Sequence, residues 1–374
     1  MSNTRQNEFT KATYNKIRNF MRPYIAPLMS QSPNAKYGPD DMLDVLLQLC
    51  SQNMYVSTGI EIMSEYRSCM TSQRVLQLLG EKNLDYMLDH VLDMLDAAAR
   101  LLKESGRLGG PVVLAVDDHL IERYDKKGPY HKGGKKKNGT NHFEGYTTAQ
   151  IVSSDKPLTL AAYAIANGES QSHYLGGLVE NVRRLGVLID VLLLDRGFNS
   201  VCNIREMKKL SVPYIMPLSG NKKLYRMMEE YDAGTGGAIR EYEMTNKKGE
   251  KVTATLVICR KDNPGKITQT SDKYIAFLTN LPTDNPEWLI KYIPKTYRYR
   301  WGIETGYRVI KQIRAKTMSP YWSARLFLFF FSLVYANFWL IYRRMIVDGS
   351  EEYLTMSVYR FRFAIYVMFA GRPP

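Results

Sequence analysis

Cysteine is scarce in this chain. Only Cys50, Cys69, Cys202 and Cys259 occur among 374 residues, with five histidines (His90, His119, His131, His142 and His173) beside them. No pair shares a CxxC spacing, and neither HExxH nor a CxxC…H pattern is present. A structural zinc site and a disulfide framework are therefore not expected, and the thiols read as buried or half-buried groups in a reducing compartment. A long hydrophobic run is lacking too. The nearest is LFLFFFSLVYANFWLI at 326–341, shorter than the roughly 20 residues of a spanning helix and interrupted by Ser332 and Asn337, so it reads as a buried core helix and not a membrane span. The N-terminal stretch MSNTRQNEFTKATYNKIRNF has no apolar h-region, so secretion is not expected. Acidic residues are outnumbered, 37 against 51 Lys and Arg, leaving a net charge of +14. That excess points to a polyanionic partner, nucleic acid above all. Apolar residues make up 45% of the chain and run throughout, which excludes disorder for most of it; the length fits about two to three domains.

Residues from about 10 to 105 read as helical. Asp40 and Asp41 mark a helix start, followed by Met42, Leu43, Val45, Leu46, Leu47 and Leu49 at helical spacing. Two short helical patterns, 57–66 and 72–79, suggest a helix-turn-helix with Gln73 and Arg74 opening the second helix; a plain helical bundle is the alternative. A longer amphipathic helix covers 85–103 and ends in ESGRLGG, a linker by its glycines. At Pro111 the texture changes. PVVLAV is a continuous apolar run of the central-strand type, strand patterns follow at 145–153 and 158–166, and a helix at 172–185 precedes VLIDVLLLD. A helix at 200–210 and the strand VPYIMPL complete an alternating α/β pattern. Residues 219–285 read as a β-rich insertion, in which Val252, Ala254, Leu256 and Ile258 alternate as a half-buried strand. The expected domains are 1–108, helical and DNA-binding; 109–218, the first part of an α/β core; 219–285, the insertion; and 286–374, the completion of the core with C-terminal helices.

Three acidic positions stand out. Asp117 closes VVLAVDD, Asp195 closes VLLLD, and Glu304 lies in the helical pattern KTYRYRWGIETGYRVIKQIR. Two strand-end aspartates and a helical glutamate converging at one sheet edge would repel one another unless a cation neutralised them. Mg²⁺ or Mn²⁺ suits such oxygen donors, and a pair of ions suits in-line phosphodiester displacement. At about 100° per residue, Tyr297, Arg300, Glu304, Arg308 and Lys311 fall in one narrow helical stripe, a surface for phosphates. The alternative is a solvated face with a Glu304–Arg308 pair.

These residues carry a resemblance. Tyr297-x2-Arg300-x3-Glu304-x6-Lys311 has the spacing of the Y-R-E-K signature of DDE transposases of the insertion-sequence-4 family, and YRYRWGIETGYRVIKQ is similar to that family's RWxIE segment. Asp195-Arg196-Gly197-Phe198 resembles its second-aspartate motif and VVLAVDDH the strand of its first. His119 departs from the small hydroxyl residue often found there. The resemblance runs from about 111 to 336 and is to archaeal and bacterial insertion-sequence transposases. It implies an RNase H-like core, a mixed sheet flanked by helices, with a β-rich insertion before the glutamate helix and an all-α N-terminal domain. It further implies metal-dependent hydrolysis at transposon ends, then attack of the freed 3′-hydroxyl on target DNA. Asp117, Asp195 and Glu304 would be the catalytic metal ligands for two Mg²⁺ or Mn²⁺ ions. Arg300 and Lys311 would hold phosphates and Tyr297 would touch the end nucleotides.

Asp118 competes with Asp117. Strand alternation sends the two to opposite sides, and the family's first aspartate follows the apolar run directly, which favours Asp117. The stretch KKGPYHKGGKKKNGTNH at 126–142, with Lys135, Lys136 and Lys137, reads as a mobile cationic loop tracking DNA, or else as a solvated loop. Arg196 is expected near phosphates, Trp288 and Trp301 in the core, and His173 has no identifiable partner. Terminal inverted repeats and target DNA are the expected partners, a homodimer the expected assembly, and the nucleoid in the cytoplasm the expected place. Two alternatives remain: a nuclease or resolvase on the same core without strand transfer, and a non-catalytic DNA-binding derivative, which predicts a broken acidic triad.

Overall fold

Amphipathic periodicity is realised in the first five helices: α1 (Asn3–Ile25), α2 (Pro39–Gln52), α3 (Val56–Ser64), α4 (Ser72–Gly80) and α5 (Leu84–Glu104). The computed structural model describes residues 3–29, 35–104, 108–152, 158–345 and 357–370. The ESGRLGG linker falls partly outside them. At the start of α2 the Asp41 carboxylate accepts the Gly38 N–H at 2.7 Å, satisfying a donor the helix leaves open. Residues 65–71 join α3 to α4, a longer connection than the roughly three- to four-residue turn of a helix-turn-helix. Thr71 caps α4 by accepting from the Arg74 N–H at 3.2 Å, and both Gln73 and Arg74 are exposed.

The chain divides into two units, one comprising 1–107, 124–129 and 306–374, the other 108–123 and 130–305. The second unit is built on a nine-stranded sheet in the order β2-β3-β1-β5-β6-β9-β8-β7, with β4 also paired to β3. Its strands are β1 (Val112–Arg123), β2 (His131–Lys137), β3 (Thr140–Ile151), β4 (Leu158–Ala164), β5 (Ile189–Leu194), β6 (Tyr214–Pro217), β7 (Ile239–Thr245), β8 (Lys251–Arg260) and β9 (Tyr274–Thr279). The helices between them are α6 (Gln171–Arg184), α7 (Val201–Lys209) and α8 (Lys222–Asp232). β1, β5 and β6 are parallel; β3 runs antiparallel to β1 and pairs along its other edge with β2 and then β4. The order β4-β3-β1-β5-β6 is an RNase H-like core, a mixed sheet flanked by helices. The strands of 219–285 continue this same sheet, because β9 pairs with both β6 and β8.

Two local features differ from the sequence reading. β1 does not close at Asp117 but runs on to Arg123, because the polar residues beyond it find partners in the sheet: Arg123 Nε donates to Glu144 at 2.9 Å, both buried, and the Tyr146 hydroxyl bonds the same carboxylate. The stretch 126–142 is a loop only over 126–130; 131–137 and 140–142 are strand. Asn138 and Gly139 have φ of 49° and 89°, the two positive values of a tight hairpin turn, which join β2 to β3. Asn-Gly chemistry outweighs the repulsion of neighbouring lysines there.

The sheet unit ends in α9 (Pro286–Tyr297), a 3-10 turn at Arg298–Arg300, and α10 (Trp301–Gln312), whose residues from Gly306 onward count with the helical unit. Pro294 removes the N–H that would reach the Ile290 carbonyl, and the Cys259 thiol lies 3.6 Å from that carbonyl as its donor.

Returning to the helical unit, α11 (Trp322–Met345) packs on α4 and α5, and α12 (Val358–Ala370) on α2. The 322–341 stretch is long and apolar enough to cross a membrane, yet it is wholly buried within the protein. Its polar residues are satisfied internally: Ser332 donates to the Leu328 carbonyl at 2.7 Å and the Tyr335 hydroxyl meets Ser51 at 2.6 Å. Each of the fully buried Phe327, Phe330, Phe331 and Phe338 contributes about 1.5–3 kcal/mol.

Candidate active site

The parallel register of β1 and β5 pairs Val116 with Leu194. The next residues on the two strands are Asp117 and Asp195, so the aspartates follow side by side on strands about 4.8 Å apart. β5 stops there, and Asp195 turns the chain by accepting the Gly197 N–H at 2.7 Å. Asp117 lies mid-strand, its Oδ1 accepting the Asp118 N–H at 2.8 Å. Burial and then the charge of Asp195 push the Asp117 carboxyl up to about 7, against the opposing pull of the Asp118 N–H and Arg300. A carboxyl so placed keeps its proton near neutrality unless a cation arrives.

Arg300 provides the nearest cation. Its guanidinium reaches Asp117 Oδ2 at 3.8 Å and Glu304 Oε1 at 2.7 Å, with only 15% of its side chain exposed. Glu304 therefore pairs back to Arg300 instead of forward to Arg308. Tyr297 sits beneath this pair, its ring centroid 5.9 Å from the guanidinium carbon and its hydroxyl donating to the Leu194 carbonyl at 3.2 Å. Burial raises the Tyr297 phenol to about 12. Because the 3-10 turn separates α9 from α10, the predicted single stripe is broken: Tyr297 and Arg300 precede the helix that carries Glu304, Arg308 and Lys311. Gly302 lets α10 approach β3, since a Cβ there would stand 2.9 Å from a Val152 methyl.

Asp118 faces the other side, as alternation requires. It accepts from Thr147 at 2.6 Å and Tyr174 at 3.3 Å and pairs with Lys132, whose ammonium lies 5.5 Å over the Tyr174 ring. A cavity of about 480 Å³ opens there between Asp118, Lys132, Glu169, Gln171, Tyr174 and Gly197. Sequence reasoning missed this group; the register of β2 against β3, which brings Lys132 to it, is not readable from spacing.

Among the other singled-out residues, Arg196, Arg308 and Lys311 are exposed, as are Lys135, Lys136 and Lys137, the last pairing with Glu122 at 3.0 Å. Trp288 and Trp301 are 45% and 66% exposed, so neither is core; Trp288 stacks on Tyr292 instead. Cys50 and Cys259 are buried and Cys69 half-buried, but Cys202 is exposed at the first turn of α7. His173 lies 3.3 Å from Glu169.

Among the described residues no group of three or more His, Cys, Asp or Glu side chains stands assembled for a metal ion. The donor set nevertheless fits a hard divalent cation: Asp117, Asp195 and Glu304 offer carboxylate oxygens only, and a guanidinium already bridges two of them.

A family model described as the transposase DDE domain matches residues 108–336. The cryo-EM structure of the piggyBac transposase synaptic complex with hairpin DNA is similar in fold, with a TM-score of 0.54 at 13% identity, over 97% of this chain and 78% of that one. The Drosophila P element transposase strand transfer complex aligns over 96% and 98% of the two chains at 8% identity, with a TM-score of 0.29. Comparison with curated proteins gives no sequence match.

Proposed function

Since the chain belongs to the DDE transposase family, we propose that it is an insertion-sequence transposase that cuts DNA at the ends of its element and joins the freed 3′-hydroxyls to target DNA. The reading rests on one observation above others: the register that sets Asp117 beside Asp195, with Arg300 joining Asp117 to Glu304 through its guanidinium. Asp117, Asp195 and Glu304 would hold divalent metal, Mg²⁺ or Mn²⁺, and two such ions would supply activation of the attacking oxygen and neutralisation of the leaving one.

In the first step water attacks the phosphorus at the element's end. The bond to the 3′-oxygen breaks, leaving a 3′-hydroxyl on the element and a 5′-phosphate on the flank. In the second, that 3′-hydroxyl attacks a target phosphodiester, gives up its proton, and displaces the target's 3′-oxygen. Arg196, Arg300, Arg308 and Lys311 bind phosphates around this point, Tyr297 borders the same surface, and Lys135, Lys136 and Lys137 extend it along the backbone. The Y-R-E-K spacing supports assignment to the insertion-sequence-4 type, of prokaryotic origin and acting at the nucleoid in the cytoplasm. Two ends cut and joined together call for one active site each, hence a homodimer on paired terminal repeats, with the N-terminal helices recognising those repeats.

The test is cleavage of a labelled duplex carrying the gene's own flanking repeats, in Mg²⁺, in Mn²⁺ and in EDTA, with wild type and Asp195→Asn. Metal-dependent cutting at the repeat boundary, absent in the variant and followed by joined products, is the expected result. Cutting without joining would establish the nuclease instead, and DNA binding without cutting in any metal would leave a DNA-binding derivative.

A further inference from the structure

Arg300 is placed to do more than bind phosphate. Its guanidinium makes ion pairs to two carboxylates, at 2.7 Å to Glu304 and 3.8 Å to Asp117. It is fixed from behind by Tyr297, whose ring lies 5.9 Å away and whose hydroxyl is tied to the Leu194 carbonyl, one residue before Asp195. The Tyr297 ring is itself held edge-on by Phe277 of β9, 5.2 Å between centroids. Arg300 is thus anchored through Tyr297 to the end of β5, and it spans from Asp117 in β1 to Glu304 in α10.

We propose that Arg300 is the built-in counter-ion of the carboxylate site: in the metal-free protein it occupies the electrostatic position of the cation, and metal loading must displace it from Glu304. This inference rests on the reading of Asp117, Asp195 and Glu304 as metal ligands. Neighbouring carboxylates without a cation repel one another, and a guanidinium that bridges Asp117 and Glu304 offsets part of that cost. It also occupies the Glu304 oxygen that a metal ion would need. One side chain therefore stabilises the resting site and competes with its ion. Displaced from Glu304, the guanidinium still carries its fork of donors and is free to turn to a phosphate, so that metal loading and substrate binding draw on the same group in sequence. Tyr297 is a positioning residue in this scheme, since its hydroxyl is engaged with the backbone of β5.

The experiment is Mn²⁺ binding to the full-length, DNA-free protein at pH 8, read from the electron paramagnetic resonance signal of free Mn²⁺. Wild type, Arg300→Gln, Arg300→Lys and Glu304→Gln are compared. Thermal unfolding is recorded for each in EDTA and in Mn²⁺. Arg300→Gln should bind Mn²⁺ about tenfold more tightly than wild type, because the competing cation is gone. It should melt lower in EDTA and gain more from Mn²⁺ than wild type does. Arg300→Lys, which keeps one charge, should lie between, and Glu304→Gln should lose affinity. Unchanged or weaker Mn²⁺ binding by Arg300→Gln, with affinity still lost in Glu304→Gln, would overturn the counter-ion role and leave the metal ligands standing. Mn²⁺ binding that is absent from all four proteins, or indifferent to Glu304→Gln, would overturn the ligand assignment and the counter-ion role with it.

Discussion

At the scale of single residues, Asp117 carries a measurable cost. Burial and then the neighbouring Asp195 disfavour the anion and push the carboxyl up to about 7. A group whose folded-state pKa lies above its unfolded value binds its proton more tightly when folded. Its stabilising contribution is complete below about pH 4 and is lost as pH rises through about 7. The metal-free protein should therefore lose stability across this window through Asp117, by an amount on the order of 2–4 kcal/mol. Asp117→Asn is nearly isosteric and cannot ionise, so its stability relative to wild type should rise from pH 5 to pH 8. Urea unfolding in EDTA at the two pH values measures this directly, and an equal difference at both would mean that Asp117 titrates as an ordinary carboxyl. The same geometry accounts for the roles of the two adjacent aspartates. Asp118 spends its oxygens on Thr147, Tyr174 and Lys132 on the far side of the strand, which leaves only Asp117 beside Asp195.

At the scale of elements, the β2–β3 hairpin turns a run of lysines into a projecting strand. Lys135 and Lys136 are exposed, and Lys137 is partly neutralised by Glu122. Replacing all three by Gln should weaken DNA binding at every sequence and lower the slope of log affinity against log salt by about 2. A titration series between 50 mM and 200 mM salt, roughly the range over which counter-ion release is strong, reads that slope; an unchanged slope would remove the hairpin from the DNA path. The elements also show how far the sequence could be read. Continuous apolar runs betrayed β1 and β5, and the alternation of Val252, Ala254, Leu256 and Ile258 betrayed β8, because burial on one or both faces writes itself into period and composition. The extension of β1 through His119 and Arg123 was hidden, since the buried Arg123 is satisfied by Glu144 from a strand that pairs only in three dimensions. The Asn138-Gly139 turn was present in the text and overshadowed by the lysines before it. The 3-10 turn at Arg298–Arg300 has no local composition signal, so the Glu304 stripe read longer than it is. Motif spacing nonetheless singled out Asp117, Asp195, Arg300 and Glu304, because the parallel register sets the two aspartates side by side and four residues of helical backbone bring Glu304 back to Arg300.

At the scale of the whole molecule, the two units are not consecutive stretches. The helical unit is made from 1–107, 124–129 and 306–374, and the sheet unit is threaded between those segments in sequence. The N-terminal helices therefore depend on residues from the far end of the chain for their core. α11 packs on α4 and α5, and α12 on α2. Tyr335 bonds Ser51, and Arg362 donates to the Ser51 carbonyl at 2.5 Å. α11 is the main partner of α5, whose Met87, Val91, Met94 and Leu95 are buried, and a fragment without it should leave such side chains facing water. Exposing four such side chains costs several kcal/mol, about 1.5–3 each, which is comparable to the roughly 5–15 kcal/mol that holds a whole domain together. A fragment of residues 1–107 should accordingly show helical circular dichroism at most, with no cooperative thermal transition and poorly dispersed amide resonances. The full chain should melt with the helical unit as a cooperative block. A fragment 1–107 that melted cooperatively, with a dispersed NMR spectrum, would mean that α11 and α12 only decorate an already stable N-terminal core. Any assay of the N-terminal helices then has to keep both ends of the chain, because α4 and α5 pack on a helix encoded more than two hundred residues later.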